Sequence, residues 1–193
     1  MRVITGRARG TLLQTPEGED TRPTSDRAKE GIFNILQNEM SGKRVLDLFG
    51  GSGQLAIEAL SRGAESAVIC DSSPKACKVI RSNVQKTGFS DSATVLECDW
   101  KTALKKLSDK KFDVVFLDPP YASELLKMSL FRIFDGGFVS ENGIVVCESD
   151  GEEPLSNSHA NLFRFAKYGR AKITILKNKK AEDGNESDSD RQF

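Results

Sequence analysis

The residues best suited to chemistry in this sequence are the four of the run Asp118-Pro119-Pro120-Tyr121. A carboxylate and a backbone carbonyl can together hold an exocyclic amine, and a tyrosine ring can stack on the base that carries it. Consecutive prolines donate no backbone hydrogen bond and hold φ at about −65°, so they end a strand and stiffen the loop. A plain proline turn is the alternative, and the motif alone leaves both interpretations open.

A buried strand must position this motif, because residues 112–117 form an apolar run that indicates a parallel strand. A second such run, residues 44–49, leads into Gly50-Gly51-Ser52-Gly53 and an amphipathic helix. This order is typical of nucleotide-binding βαβ units, where glycine lets the backbone approach a ligand at a helix N-terminus. The spacing is not G-x-G-x-x-G, and Asp47 would repel a pyrophosphate. We therefore expect a ligand with a positive amino or sulfonium group.

Two further strands also end in acids. The strand at residues 66–71 ends in Asp71, where an acid can hold a ribose, and Ser72 is assigned to the same site. The strand at residues 93–98 is followed by Asp99 and Trp100. An acid and an indole can accept from an adenine amino group and pack on its ring. Helix capping by Asp99, with Trp100 in the core, is the alternative.

Strands and helices alternate along most of the chain, which predicts an α/β fold with a mostly parallel sheet. Tyr168-Gly169 joins the last two strands, which we expect to close the sheet as an antiparallel hairpin. We divide the chain into an N-terminal β-hairpin extension (1–20), the main domain (21–177) and a disordered acidic tail (178–193). Two expected helices have apolar faces within residues 28–36 and 55–60, and two more cover residues 74–86 and 123–134. The remaining strands cover residues 143–148, 162–165 and 171–176.

Four arginines are candidates for contact with a phosphate backbone. Arg7 and Arg9 lie on the predicted N-terminal hairpin, whereas Arg22 and Arg27 flank the start of the first helix. Basic side chains at such positions can neutralise phosphates. A charged sheet edge that resists aggregation, or surface salt bridges, would explain the same residues.

Bulk composition narrows the possibilities without selecting a partner. The chain has 28 basic and 28 acidic residues. Residues 182–193 hold five acids and one arginine, so the remainder carries a net charge of +4, which is compatible with a nucleic-acid partner. The four cysteines form no C-x-x-C pair, which favours buried thiols over disulfides or a metal site. No signal peptide or membrane-length apolar run is present, so we expect a cytoplasmic protein.

The arrangement of acids at strand ends resembles the class I S-adenosylmethionine-dependent methyltransferases. More narrowly, it resembles the RsmD family, bacterial enzymes that methylate the exocyclic N2 of a guanine in 16S ribosomal RNA. The family usually has glutamate where this chain has Asp71, a shorter acid that can still reach a ribose. The resemblance covers nearly all of residues 1–176 and rests on residues 21–27, 47–53, 58–64, 118–121 and 168–169.

The resemblance implies a Rossmann-like seven-stranded fold and S-adenosylmethionine as cofactor. The methionine part would be held by Asp47 and the turn of Gly50, Gly51, Ser52 and Gly53. Asp71 with Ser72 would hold the ribose, and Asp99 with Trp100 the adenine. Asp118 and Pro119 would accept from the target amine while Tyr121 stacks on the guanine. The implied partner is 16S rRNA in the small ribosomal subunit. We expect the protein to act as a monomer and to use no metal.

Two other functions stay open on the sequence. An adenine-N6 methyltransferase acting on DNA or RNA could use the same loop, although the short chain leaves little room for a sequence-reading domain. A non-catalytic cofactor-binding module that assists ribosome assembly would bind the cofactor without turnover.

Overall fold

Seven strands and five helices make up the part of the chain that the computed structural model describes, namely residues 1–16, 26–37, 39–119 and 123–179. None of these helices has the length and apolar character that a bilayer crossing requires. The helices are α1 (Asp26–Ile35), α2 (Gln54–Ser61), α3 (Pro74–Lys86), α4 (Trp100–Lys106) and α5 (Ser123–Asp135). The strands are β1 (Arg44–Asp47), β2 (Ser66–Asp71), β3 (Ala93–Glu97), β4 (Phe112–Leu117), β5 (Val139–Ser149), β6 (Ala160–Tyr168) and β7 (Ala171–Asn178).

The strands form one sheet in the order β3-β2-β1-β4-β5-β7-β6. Strands β1 to β5 are mutually parallel, whereas β7 runs antiparallel to its neighbours β5 and β6. This confirms the predicted α/β fold, the mostly parallel sheet and the closing hairpin. Because parallel strands end on the same side, β1, β2, β3 and β4 deliver the residues that follow them to one edge, called here the carboxyl edge.

Helices cover both faces of the sheet, as parallel strands that are apolar on both sides require. Buried side chains of α1, α2 and α3 pack on one face, where the ring centroids of Phe33 and Phe116 lie 5.9 Å apart. Buried side chains of α4 and α5 pack on the other. The four cysteines are free thiols, and three of them are buried.

The N-terminal β-hairpin predicted at residues 2–14 is present only as a short antiparallel pairing without regular strands, in which Val3 bonds to the backbone of Thr11 and Gly10 at 3.0 and 2.8 Å. A single isolated bridge joins Arg2 and Leu12, and residues 1–16 otherwise form an irregular segment, called here the N-terminal loop. Its apolar residues Val3, Ala8 and Leu13 are buried in the core. Other amides of the loop bond to side chains of α2 and α3, so the backbone is satisfied by this pairing and by those side chains together. Residues 17–20 and the acidic tail from residue 180 lie outside the described residues.

Glu58 of α2 is the principal anchor of the N-terminal loop. Its fully buried carboxylate accepts from the amides of Ile4 and Thr5, at 2.7 and 3.0 Å, and from Arg62 Nε at 2.8 Å. The Arg62 guanidinium also lies over the ring of Phe33 in α1, 4.8 Å from its centroid. One carboxylate therefore links the loop, α2 and α1.

We expect Glu58→Ala to lower the free energy of unfolding by about 3 kcal/mol, because it leaves buried donors and a guanidinium without their acceptor. Urea denaturation measures the loss, and hydrogen exchange of the Ile4 and Thr5 amides localises it. The control is Glu65→Ala, which removes an exposed glutamate just before β2. Equal stability of the two variants would contradict the anchoring role.

Candidate active site at the carboxyl edge

The glycine turn after β1 lies folded back against β2. The Gly50 amide donates to the Cys70 carbonyl at 2.7 Å, and the Gly53 amide donates to the Gly50 carbonyl at 2.7 Å. Gly51 and Gly53 have φ of +56° and +79°, values that residues other than glycine rarely adopt. At Gly50 a Cβ would meet Ile69 Cγ2 at 2.5 Å. The sequence thus closes the turn tightly, and of its four residues only Gly51 is partly exposed.

Asp71, at the end of β2, braces the same turn. Its Oδ2 accepts from the Gly51 amide and its Oδ1 from the Ser73 amide, both at 2.8 Å. A carboxylate has about four acceptor sites, so about two remain, as many as a ribose has vicinal hydroxyls. Ser72 lies exposed at the same edge.

Asp47, at the end of β1, is almost completely buried beneath the turn, with 1% of its surface exposed. Burial, then the charges of Asp118 and Asp71, raise its pKa to about 7, although amides of Phe49 and Ala56 favour the charged form. Its Oδ1 has no hydrogen-bond partner among the described residues. Asp47 therefore offers little exposed surface for direct contact, and its effect on the site is electrostatic.

Asp118 and Pro119 follow β4 directly and are partly exposed at the same edge. The effect of the Asp118 charge on Asp47 shows that the ends of β1 and β4 are electrostatically coupled. Asp47, Asp71 and Asp118 thus form one acidic cluster beside the glycine turn. Pro120 and Tyr121 lie outside the described residues, so the stacking role of Tyr121 stays a prediction.

Asp99 and Trp100 adopt the capping arrangement that was the alternative interpretation. Asp99 Oδ1 accepts from the amides of Lys101 and Thr102, and Oδ2 accepts from the Thr102 hydroxyl at 2.6 Å. Trp100 packs partly buried against the core beneath α4, with Lys101 Nζ 5.5 Å from its ring centroid. The cap fixes both residues at the carboxyl edge and leaves about one acceptor site of Asp99 for a ligand.

Asn83 of α3 is a supporting residue that the sequence interpretation missed. Its fully buried amide donates to the Ser52 carbonyl at 2.9 Å and pairs with the backbone of Gln14, at 2.8 and 2.9 Å. The Ser52 hydroxyl faces the Met1 sulfur at 3.4 Å, so Ser52 contacts the N-terminal loop. A polar residue on the apolar face of a predicted helix was the signal that could have identified Asn83.

The predicted arginines do not converge on the acidic cluster. The Arg7 amide donates to Ser61 at the end of α2, and its guanidinium lies over Phe89, 5.0 Å from the ring centroid. Since α2 ends where β2 begins, Arg7 lies at the opposite edge of the sheet, and Arg9 follows it in the same loop. Arg27 is exposed on α1, and Arg22 lies outside the described residues.

Known proteins match the chain over nearly its whole length. The family model described as "Conserved hypothetical protein 95" matches residues 1–177. A Bacillus subtilis protein provisionally named rRNA methyltransferase YlbH is 39% identical over 92% of this chain and 98% of its own. Ribosomal RNA small subunit methyltransferase D of Escherichia coli K12 is 32% identical over 83% and 80%. A solved Escherichia coli structure, provisionally named methyltransferase yhhF, superposes with a TM-score of 0.83 at 29% identity, covering 94% of this chain and 99% of its own.

The raised pKa of Asp47 predicts a dependence of stability on pH. Between about pH 4 and pH 7 the folded chain holds a proton that the unfolded chain has lost, so this carboxyl destabilises the fold increasingly as pH rises, up to about pH 7. Asp47→Asn removes that dependence. From about pH 4 to about pH 8, its stability should rise relative to wild type by about 4 kcal/mol.

Urea denaturation at several pH values checks this expectation, with exposed Asp91→Asn as the control that should follow wild type. A constant difference between Asp47→Asn and wild type across the pH range would show that the Asp47 carboxyl titrates normally.

Proposed function

Because this chain belongs to the RsmD and YlbH family of S-adenosylmethionine-dependent methyltransferases, we propose that it methylates the exocyclic N2 of a guanine in 16S rRNA. The observation that carries the proposal is the acidic cluster beside the glycine turn, which joins a site for a cationic cofactor to the Asp118-Pro119 motif. The names of the relatives from Bacillus subtilis and Escherichia coli support ribosomal RNA as the substrate class.

The acidic cluster fits a cofactor that carries positive charge. S-adenosylmethionine, when bound, supplies a methyl group activated by a positively charged sulfur. Asp47 has an unpartnered buried oxygen and a raised pKa, and a nearby cation would stabilise its charged form. Asp71 retains acceptor sites for the ribose, and Asp99, with Trp100 beside it, retains one for the adenine amino group. The glycine turn of residues 50–53 would lie against the methionine part.

Asp118 and Pro119 would orient the target amine. The guanine must first leave its base stack, at a cost of a few kcal/mol. The Asp118 carboxylate and the Pro119 carbonyl then accept hydrogen bonds from N2, while Tyr121 stacks on the ring. These contacts would orient the amine nitrogen for methyl transfer, so most of the catalysis would be positioning. As nitrogen gains the methyl group and the bond from that group to sulfur breaks, Asp118 would stabilise the positive charge on nitrogen and take its proton late.

The reaction is tested by transfer of labelled methyl from S-adenosylmethionine to small ribosomal subunits from cells that lack this protein. The RNA is digested and its nucleosides are identified. We expect the label in N2-methylguanosine. Label in N6-methyladenosine would replace the proposal with the adenine reaction, and cofactor binding without transfer to subunits, naked RNA or DNA would indicate the non-catalytic module.

The same assay tests the role of Asp118. We expect Asp118→Ala to lower kcat by at least about 100-fold and to change the Kd for the cofactor far less, because the amine loses its acceptor whereas Asp47 and Asp71 still supply negative charge to the cofactor site. The control is Asp109→Ala, an exposed aspartate near the start of the same strand, which should transfer methyl at the wild-type rate. Wild-type turnover by Asp118→Ala would exclude this role.

A further inference from the structure

A groove of about 610 Å³ lies between α1 and β6, open to solvent and separate from the acidic cluster. Its volume is in the range of ligand-binding pockets. At one wall the Tyr168 ring lies directly on the backbone of Gly31, where any Cβ would overlap the ring. The groove is therefore held by a close contact between α1 and the end of β6.

An irregularity in β6 directs two successive side chains to this groove. Leu162 pairs with Leu176 and Arg164 pairs with Ile175, so Phe163 is an extra residue in a β-bulge. Successive side chains of a regular strand point to opposite faces, and bulges re-aim them. Phe163 and Arg164 consequently both line the groove, and 55% of Phe163 is exposed.

The groove combines this aromatic ring with positive charge and an amide. Arg27 and Asn34 of α1 face Arg164 of β6 across it, and all three side chains are exposed. Neither guanidinium forms an ion pair with another described residue, whereas Glu30 contributes one negative charge to the lining. Two free guanidinium groups beside an exposed ring suit a phosphate backbone with an unpaired base.

The groove extends to the carboxyl edge of the sheet, where the candidate reacting residues lie. Through β7 and β5, Arg164 is level with Phe116 of β4, two residues before Asp118. Tyr168 extends to the carboxyl edge, since it pairs beyond the level of Ser149. Three strand spacings separate β4 from β6, or about 14 Å. A strand of RNA with one base at Asp118 could place a nucleotide a few positions away in the groove.

We propose that this groove binds an unpaired nucleotide of the RNA substrate a few positions from the target guanine, with its base stacked on Phe163 and its phosphates held by Arg27 and Arg164. The inference rests on the proposed function, because it takes RNA as the substrate. It assigns substrate affinity to a surface apart from the cofactor site. The N-terminal arginines, by contrast, lie at the opposite edge of the sheet.

The full-length chain is titrated against a short fluorescein-labelled single-stranded RNA, with fluorescence anisotropy as the readout. We expect Phe163→Ala to raise the Kd about tenfold, within the range for loss of one base stacked on an aromatic side chain. Arg164→Gln should reduce the slope of log Kd against log salt by about 0.7, the share of one phosphate contact in a single strand. Duplex RNA should show neither effect.

Leu162→Ala is the matched control, because Leu162 is 51% exposed on the same strand but does not line the groove. It should leave RNA affinity unchanged, and all three variants should keep the wild-type Kd for S-adenosylmethionine. Equal RNA affinity of Phe163→Ala and Leu162→Ala, in a wild-type protein that methylates subunits, would overturn the groove and spare the proposed function.

Two other outcomes are separately identifiable. If wild type transfers no methyl to RNA, the proposed function fails. The binding of RNA in the groove is then judged separately, and it is excluded if Phe163→Ala binds RNA as tightly as wild type. If Phe163→Ala changes the sedimentation of the free protein while leaving RNA affinity unchanged, the groove contacts a second copy of the chain, and the RNA assignment is wrong.

Discussion

Negative charge held at one edge of the sheet is the constraint on which the rest of the site depends. Strands β1, β2 and β4 are neighbours and run parallel, so the topology itself brings Asp47, Asp71 and Asp118 together. Hydrogen bonds from two backbone amides do not offset the cost of burying the Asp47 carboxylate, so its pKa is raised to about 7. The fold thus keeps an electrostatic cost that a positively charged ligand would relieve, as functional sites often do.

The structure around this cluster restricts movement of the glycine turn. The Asp71 carboxylate accepts from the Gly51 amide of the turn. Asn83 donates to the Ser52 carbonyl and so links the turn to the N-terminal loop. Glu58 anchors that loop in turn, so the first residues of the chain support a site formed by β1 and α2. Rigid support of this kind preorganises donors and charges before a ligand arrives, which limits the entropy lost on binding.

Patterns local in sequence predicted the sheet, the glycine turn and the closing hairpin, because apolar periodicity and glycine spacing act over a few residues. The anchoring of the N-terminal loop was not predicted, because its side-chain partners Glu58 and Ser61 are more than fifty residues away along the chain. Helix α4 entered the sequence interpretation only as the alternative for Asp99, because the capping and ligand roles of an aspartate look alike in sequence. The bulge at Phe163 depends on its register with β7, which no local pattern records.

The central claim, that the acidic cluster serves a cationic cofactor, is tested most directly by calorimetry. S-adenosylmethionine is titrated into wild type and Asp47→Asn at about pH 7, in two buffers that differ in ionisation enthalpy. Bound positive charge should lower the pKa of Asp47, so wild type should release about half a proton more than the variant. Protons released by the ligand's own amino group are the same for both proteins, so they cancel when proton release by the variant is subtracted from that by wild type. Equal proton release by the two proteins, with binding intact in both, would contradict the account.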